Sequence, residues 1–267
     1  MPLLHLILVA IIQGVTEFLP ISSSGHLILL PALAGLDDQG LVIDVAVHLG
    51  TLFAVLLFFW DDMRGALLGL PRLLAGRADT QGARLALLLL VSSIPVIGLG
   101  LILHLTGLDA ELRSVAVIGW AMLVFGIVLY WADQFGASRR TQADWGLSDA
   151  MVIGVWQAIA LIPGTSRAGI TITGARFMGY TRHDAARISM LMSVPTILAS
   201  ALFLAGEAVM QADLAVLRDG AIAAVFAFFA ALGALAIMMR LLRSVSFTPY
   251  VVYRVVLGGV LLGVAYL

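Results

Sequence analysis

The chain has 267 residues, of which 61% are hydrophobic and 12% charged, and its mean hydropathy is +1.07. A water-soluble domain carries about 25% charged residues, so an aqueous globular enzyme is excluded and an integral membrane protein is expected. The net charge of −1 gives no reason to expect a nucleic-acid partner, and the absence of cysteine excludes disulfides.

The N-terminus, Met1-Pro2-Leu3-Leu4-His5, lacks a basic region, and the apolar run after it leads into Gln13 and Glu17; no cleavable leader is expected. Residues 3–34 are apolar but interrupted by Gln13-Gly-Val-Thr-Glu17-Phe-Leu-Pro20-Ile-Ser22-Ser23-Ser24-Gly25-His26. Spans, which need roughly 20 apolar residues, are expected at about 41–60, 85–105 and 113–132. A second interrupted region, 149–178, contains Ile162-Pro163-Gly164-Thr165-Ser166-Arg167-Ala168-Gly169. Three more spans are expected at about 186–206, 220–239 and 249–267. Proline cannot continue a helix, so Pro20 and Pro163 should end a first half-helix in each broken region. Ser22 and Ser166 are the expected N-caps of the second. Irregular backbone at membrane depth is tolerated only when buried in protein or lining a wet cavity, so both regions read as re-entrant helix–loop–helix hairpins.

The chain then reads as a single domain, 1–267, of two halves, 1–135 and 145–267, each a hairpin followed by three spans. Residue echoes support the repeat: Gln13 with Gln157, Ser22 with Ser166 and Gly25 with Gly169, all at an offset of 144. Leu49–Ala54 and Val194–Ala199 add a further match at 145. Three spans is an odd number, so the second half should insert upside down. The expected fold class is an all-α polytopic membrane protein with six transmembrane helices and two re-entrant hairpins in an inverted-topology repeat. Such repeats place sites near the midplane, where the broken helices meet.

All fifteen basic residues are Arg. Arg64, Arg72, Arg77, Arg84, Arg139, Arg140, Arg182, Arg187, Arg240 and Arg243 fall on one expected side. Asp37, Asp38, Asp109, Glu111, Glu207, Asp213 and Asp219 fall on the other, with only Arg113 and Arg218. The Arg-rich side should be cytoplasmic. The first hairpin then enters from outside, the second from the cytoplasm, and the C-terminus lies outside.

Ionisable groups at membrane depth are costly and mark function by default. Gln13 and Glu17 share a helix face. A helix cap needs one hydroxyl, so Ser22, Ser23 and Ser24 leave two for other work. Helix N-termini attract anions, and Arg167 sits in such a first turn, where a cation makes sense beside a bound anion or paired with Glu17. Its planar fork suits phosphate. His26 alone also has a plain reading as a partner for a hairpin carbonyl, but its placement with Glu17 around one break favours a joint site. Asp44 and His48, four apart, read as interfacial solvation or as a pair supporting the site from behind, the former being the simpler. Arg176 and Arg182 should snorkel or face the cytoplasm, Arg254 should meet a buried carbonyl or acid, and Asp149 should cap a helix. No P-loop, zincin or nucleophile-elbow motif is present.

At these residues the chain resembles the bacitracin-resistance family of undecaprenyl-diphosphate phosphatases. Gly14–His26 is similar to that family's first motif and Pro163–Gly169 to its second, and the resemblance spans the whole chain. It implies a hydrolase that converts a C55 polyprenyl diphosphate to its monophosphate and phosphate in the bacterial inner membrane, recycling the carrier for peptidoglycan synthesis. It also implies a divalent cation, Mg²⁺ or Ca²⁺. Carried over by position, the catalytic set is Glu17, Ser23, His26 and Arg167, with Ser166 in the active site. Gln13, Ser22, Ser24, Gly25, Thr165, Ser166 and Arg167 are the expected substrate contacts. Glu17 is the expected cation ligand and orients or deprotonates the nucleophile, which is Ser23, His26 or a water. His26 is the expected acid or base. Gln13 stands where many members have Glu, so a scheme with two carboxylates on this helix is not available. Ala168 stands where Ser is common. The expected partners are the lipid substrate and the bilayer; monomer and homodimer remain open. The alternative is a lipid-phosphate flippase or other anion transporter built on the same repeat.

Overall fold

The computed structural model describes residues 2–23, 25–27, 39–108, 112–211 and 213–267, without the side chains of 205 and 207–211. Among them every regular element is helical, apart from one isolated bridge between Arg140 and Tyr180. In chain order these are α1 (Leu3–Thr16), α2 (Leu41–Phe58), α3 (Trp60–Leu74), α4 (Gln81–Thr106) and α5 (Val115–Phe135). They are followed by α6 (Leu147–Ala158), α7 (Arg167–Phe177), α8 (Arg182–Gln211), α9 (Leu214–Leu241) and α10 (Thr248–Tyr266). Six of them, α2, α4, α5, α8, α9 and α10, are long and apolar enough to cross a membrane, matching the six expected spans. α1 and the segment 147–161 are apolar but shorter.

Both broken regions break where expected, though the helices stop short of the prolines. α1 ends at Thr16, and turn-like backbone carries the chain to Ser22 before helix resumes at Ser23. α6 ends at Ala158, a tight turn covers 159–161, and α7 starts after Ser166. Ser24 lies outside the described residues, as do Asp37, Asp38, Asp109, Glu111 and the Glu207 side chain.

The packing is by small residues. α9 presents Ala223, Ala227 and Ala231, all fully buried, to α1 and α2. A Cβ on Gly50 would sit 2.2 Å from the Ala224 carbonyl oxygen, so α2 and α9 touch backbone to backbone. This is how helices associate where burying apolar surface gives no driving force. The outer surface is correspondingly apolar, with Phe53, Leu101, Ile102, Phe229 and Val256 exposed.

The polar end of the bundle is cross-linked by charge. Asp133 pairs with Arg182 at 2.6 Å, and Asp62 pairs with Arg187 at 2.6 Å. Asp149 accepts from the Gly146 N–H at the start of α6, as a cap should, but it also pairs with Arg140 and accepts from the Tyr180 hydroxyl. Burial pushes the Tyr180 phenol up, reinforced by that hydrogen bond to Asp149. Arg176 departs from expectation. Instead of snorkelling it is 1% exposed and donates to the carbonyls of Asp133, Gly136 and Tyr180 and to the Ser138 hydroxyl. α7 is short and ends against the C-terminus of α5, whose last carbonyls lack ladder donors, and the guanidinium supplies them.

Candidate active site

Glu17 is the C-cap of α1 and is buried. One turn back, Gln13 donates to its Oε2 at 2.9 Å, the neighbour that spacing of four dictates. Ser23, past the break, donates to the same oxygen at 2.8 Å. The other oxygen, Oε1, accepts from Arg167 at 2.8 Å. Arg167 comes from the second broken region, 150 residues away, so the two breaks complete one another. Its other terminal nitrogen donates to the Ser189 carbonyl of α8 at 3.2 Å.

The two loops share an unusual backbone. Ser22 (φ 75°) and Ser166 (φ 69°) are the non-glycine residues with positive φ among the described residues. Each costs of order 1–3 kcal/mol and persists only where the surroundings impose it. Each side chain accepts from the backbone N–H three residues on, Gly25 for Ser22 and Gly169 for Ser166, so both act as the expected caps. Gly164 (φ 89°) is required twice over: a Cβ there would also lie 2.5 Å from the Ile118 carbonyl oxygen. Arg254 of α10, fully buried, ties the loops together. It donates to the Pro20 and Gly164 carbonyls in the two breaks and to Ala121 and Met122 of α5.

Glu17, Ser22, Ser23, Ser166 and Arg167 line one cavity of about 500 Å³, closed on other sides by Asp44, His48, Arg113, Thr196 and Ser200 among others. Of the expected contacts, Gln13 reaches the cavity only through Glu17. Gly25 and Thr165 are buried beside it, the Thr165 hydroxyl without a partner. His26 turns away. Its Nδ1 lies 2.6 Å from the Ser22 carbonyl and its Nε2 2.5 Å from the Tyr253 hydroxyl, the two ring planes nearly parallel. His48 and Tyr253 are the residues the sequence undervalued or missed. The Asp44/His48 spacing was visible, but which way that face of α2 turns was not.

The donor set does not fit a resident divalent cation. Of the carboxylates lining the cavity, Glu17 has both oxygens already accepting from Gln13, Ser23 and a guanidinium that would repel a cation, and Asp44 accepts from Gln39. Among the described residues no group of three or more His, Asp or Glu is placed to hold a metal.

A membrane protein whose two interrupted apolar segments bring a carboxylate, a hydroxyl and a guanidinium into one cavity is built to hold an anion and transfer a group from it. Which family uses this plan follows from comparison. The family model described as bacitracin resistance protein BacA matches residues 6–260, and the chain belongs to that family. It is 66% identical to the undecaprenyl-diphosphatase of Ruegeria pomeroyi, with the whole of both chains covered. It is 62% identical to that of Jannaschia sp. (strain CCS1), again over both whole chains. It is 45% identical to that of Maricaulis maris, over 98% of each.

Proposed function

We propose that this chain hydrolyses undecaprenyl diphosphate to undecaprenyl phosphate and inorganic phosphate, returning the lipid carrier to cell-wall synthesis and conferring bacitracin resistance. The observation that carries the chemistry is Glu17 bridging Ser23 and Arg167 at 2.8 Å each, in a cavity between the two breaks. Arg167 and the N-terminal ends of the second half-helices hold the diphosphate. Glu17 takes the Ser23 hydroxyl proton, and Oγ bonds to the terminal phosphorus. The bond from that phosphorus to the bridging oxygen breaks, and its electron pair leaves with the polyprenyl monophosphate. Glu17 releases that proton to water in the cavity and is ionised again. A water then attacks the phosphoserine, its proton passes to Glu17, and Glu17 returns it to Ser23 Oγ as the Oγ–phosphorus bond breaks and inorganic phosphate leaves. His26 positions Ser23 by donating to the Ser22 carbonyl, which supports the strained turn beside the nucleophile.

The same reading takes both broken segments as re-entrant hairpins and the halves 1–135 and 145–267 as an inverted repeat. Support comes from the paired positive-φ serines and from the swapped contacts: α1 packs on α9 as α6 packs on α4, and α2 packs on α9 as α8 packs on α4. The Arg-rich loops are assigned to the cytoplasm and the site to the periplasmic side of the inner membrane. A reporter fused in the loop 62–84 should read as cytoplasmic.

Purified protein in detergent should release phosphate from a polyprenyl diphosphate, and a phosphoryl-Ser23 adduct should be trapped by acid quench and mass spectrometry. Movement of intact lipid without phosphate release would replace the hydrolase with a transporter.

A further inference from the structure

We infer that His48, not His26, is the imidazole that takes part in proton transfer at this site; the inference rests on the phosphatase reading above. His48 lines the cavity that holds Glu17, Ser23 and Arg167, whereas His26 does not line it and has both ring nitrogens engaged, on the Ser22 carbonyl and the Tyr253 hydroxyl. The His48 Nδ1 lies 2.7 Å from the Asp44 carbonyl oxygen, which can only accept, so Nδ1 carries the proton. In the neutral ring the lone pair then sits on Nε2. That Nε2 lies 3.8 Å from Glu17 Oε2, the same oxygen that accepts the Ser23 hydroxyl, and the side chain is 37% exposed toward the cavity.

The order Ser23 Oγ, Glu17 Oε2, His48 Nε2 defines a relay. Glu17 must be ionised again before it can take the proton of the attacking water, so the serine proton must move on, and His48 Nε2 stands next to the oxygen that receives it. As Oγ bonds to phosphorus and the bridging oxygen leaves with its electron pair, the proton passes through Glu17 to His48. From there it leaves to water in the cavity. The protonated ring then stands in ion-pair range of Glu17. The charged groups facing His48 are Glu17 from α1 and Arg167 from α7, with Arg113 lining the same cavity. On its own helix Asp44 accepts from Gln39 at 2.7 Å, and among the described residues α8 lends the cavity the hydroxyls of Thr196 and Ser200. The relay also answers the absence of a second carboxylate on α1: Gln13 supplies a hydrogen bond, and the second titratable group comes from α2.

The test is the pH–rate profile of phosphate release by the purified protein. Imidazole is the side chain that changes charge between about pH 5 and 8. His48 must be neutral to accept, so wild-type kcat should fall on the acid side of that window. His48→Gln should lower kcat by about 10²–10⁴-fold, the range of general acid–base catalysis, leave KM within about threefold, and abolish the acid limb. His26→Gln should lower the rate but keep the limb. His48→Ala should regain rate on addition of free imidazole, a readout that a purely structural role would not move. The inference is overturned if His48→Gln keeps both the limb and its rate, or if the limb disappears in His26→Gln instead. Lack of phosphate release by the wild type would sink the phosphatase reading itself, a distinguishable result.

Discussion

Removing the Arg254 guanidinium should unfasten both broken segments at once. It lies on α10, fully buried, and its acceptors are all carbonyl oxygens. Two of them, Ala121 and Met122, belong to α5, where ladder bonds remain after the guanidinium is gone. The other two, Pro20 and Gly164, sit in the breaks, outside any helix. A buried acceptor stripped of its partner costs about 1–3 kcal/mol, so the loop carbonyls alone give about 2–6 kcal/mol. At about 2–4 °C per kcal/mol for chains of this size, Arg254→Ala should lower the melting temperature by about 5–20 °C, or prevent accumulation in the membrane. Arg254→Lys, which keeps the charge but not the planar fork, should lose less. Thermal unfolding of detergent-purified protein, followed by tryptophan fluorescence, measures this. An Arg254→Ala protein melting within about 2 °C of wild type would refute the claim that this side chain holds the loops.

Other outcomes follow from the same geometry. Glu17→Gln and Arg167→Ala should each abolish phosphate release at unchanged membrane levels, and each should also destabilise, since removing one partner of a buried pair costs about 3–5 kcal/mol. The double variant should lose less stability than the two singles together, and strict additivity in melting temperatures would contradict a direct pair. Gly164→Ala places a Cβ 2.5 Å from the Ile118 carbonyl at φ 89°, so it should fold poorly, with a melting temperature below that of Gly263→Ala, where the added carbon meets nothing within 4 Å. Asp144 is held below the usual carboxylate range by the Thr141 backbone N–H. A depressed folded-state value means stability that is present above the unfolded value, about 3.9, and lost as pH falls through the folded one. The stability gap between wild type and Asp144→Asn should therefore narrow as pH falls below the unfolded carboxylate value; a gap unchanged in strong acid would contradict the hydrogen bond.

What could be read from residue order alone was whatever local rules decide. The six spans follow from apolar length, and the breaks from proline and serine. The Gln13–Glu17 contact follows from a spacing of four, and the partnership of Glu17 with Arg167 from the cost of leaving either charge alone in lipid. The rest depends on rotation and reach. Whether His48 faces the cavity is set by the axial orientation of α2, fixed by the close approach of Gly50 to Ala224, which no local pattern encodes. His26 is claimed by Tyr253, 227 residues away. Arg176 is buried because α7 ends against a foreign helix terminus, a fact of packing and not of composition.

Arg167 faces three acceptors in this site, Glu17, the Ser189 carbonyl and an arriving diphosphate, and that sets a final expectation. One terminal nitrogen is taken by Glu17 and the other by the Ser189 carbonyl, while its Nε donates to no described group. An arriving diphosphate must share this fork or take it from Glu17. Either way, the guanidinium that neutralises the acid in the empty site frees it as substrate binds, when Ser23 needs a base. Lysine could do one of these tasks but not all three, because its ammonium is a point charge without the planar fork. Arg167→Lys should therefore fold, with a melting temperature closer to wild type than that of Arg167→Ala. Its kcat/KM should still fall by about 10²-fold, equivalent to about 2.7 kcal/mol of lost transition-state binding. Kinetics on a water-soluble short-chain prenyl diphosphate measure this; a lysine variant with near wild-type kcat/KM would show that charge alone, and not the fork, holds the phosphate.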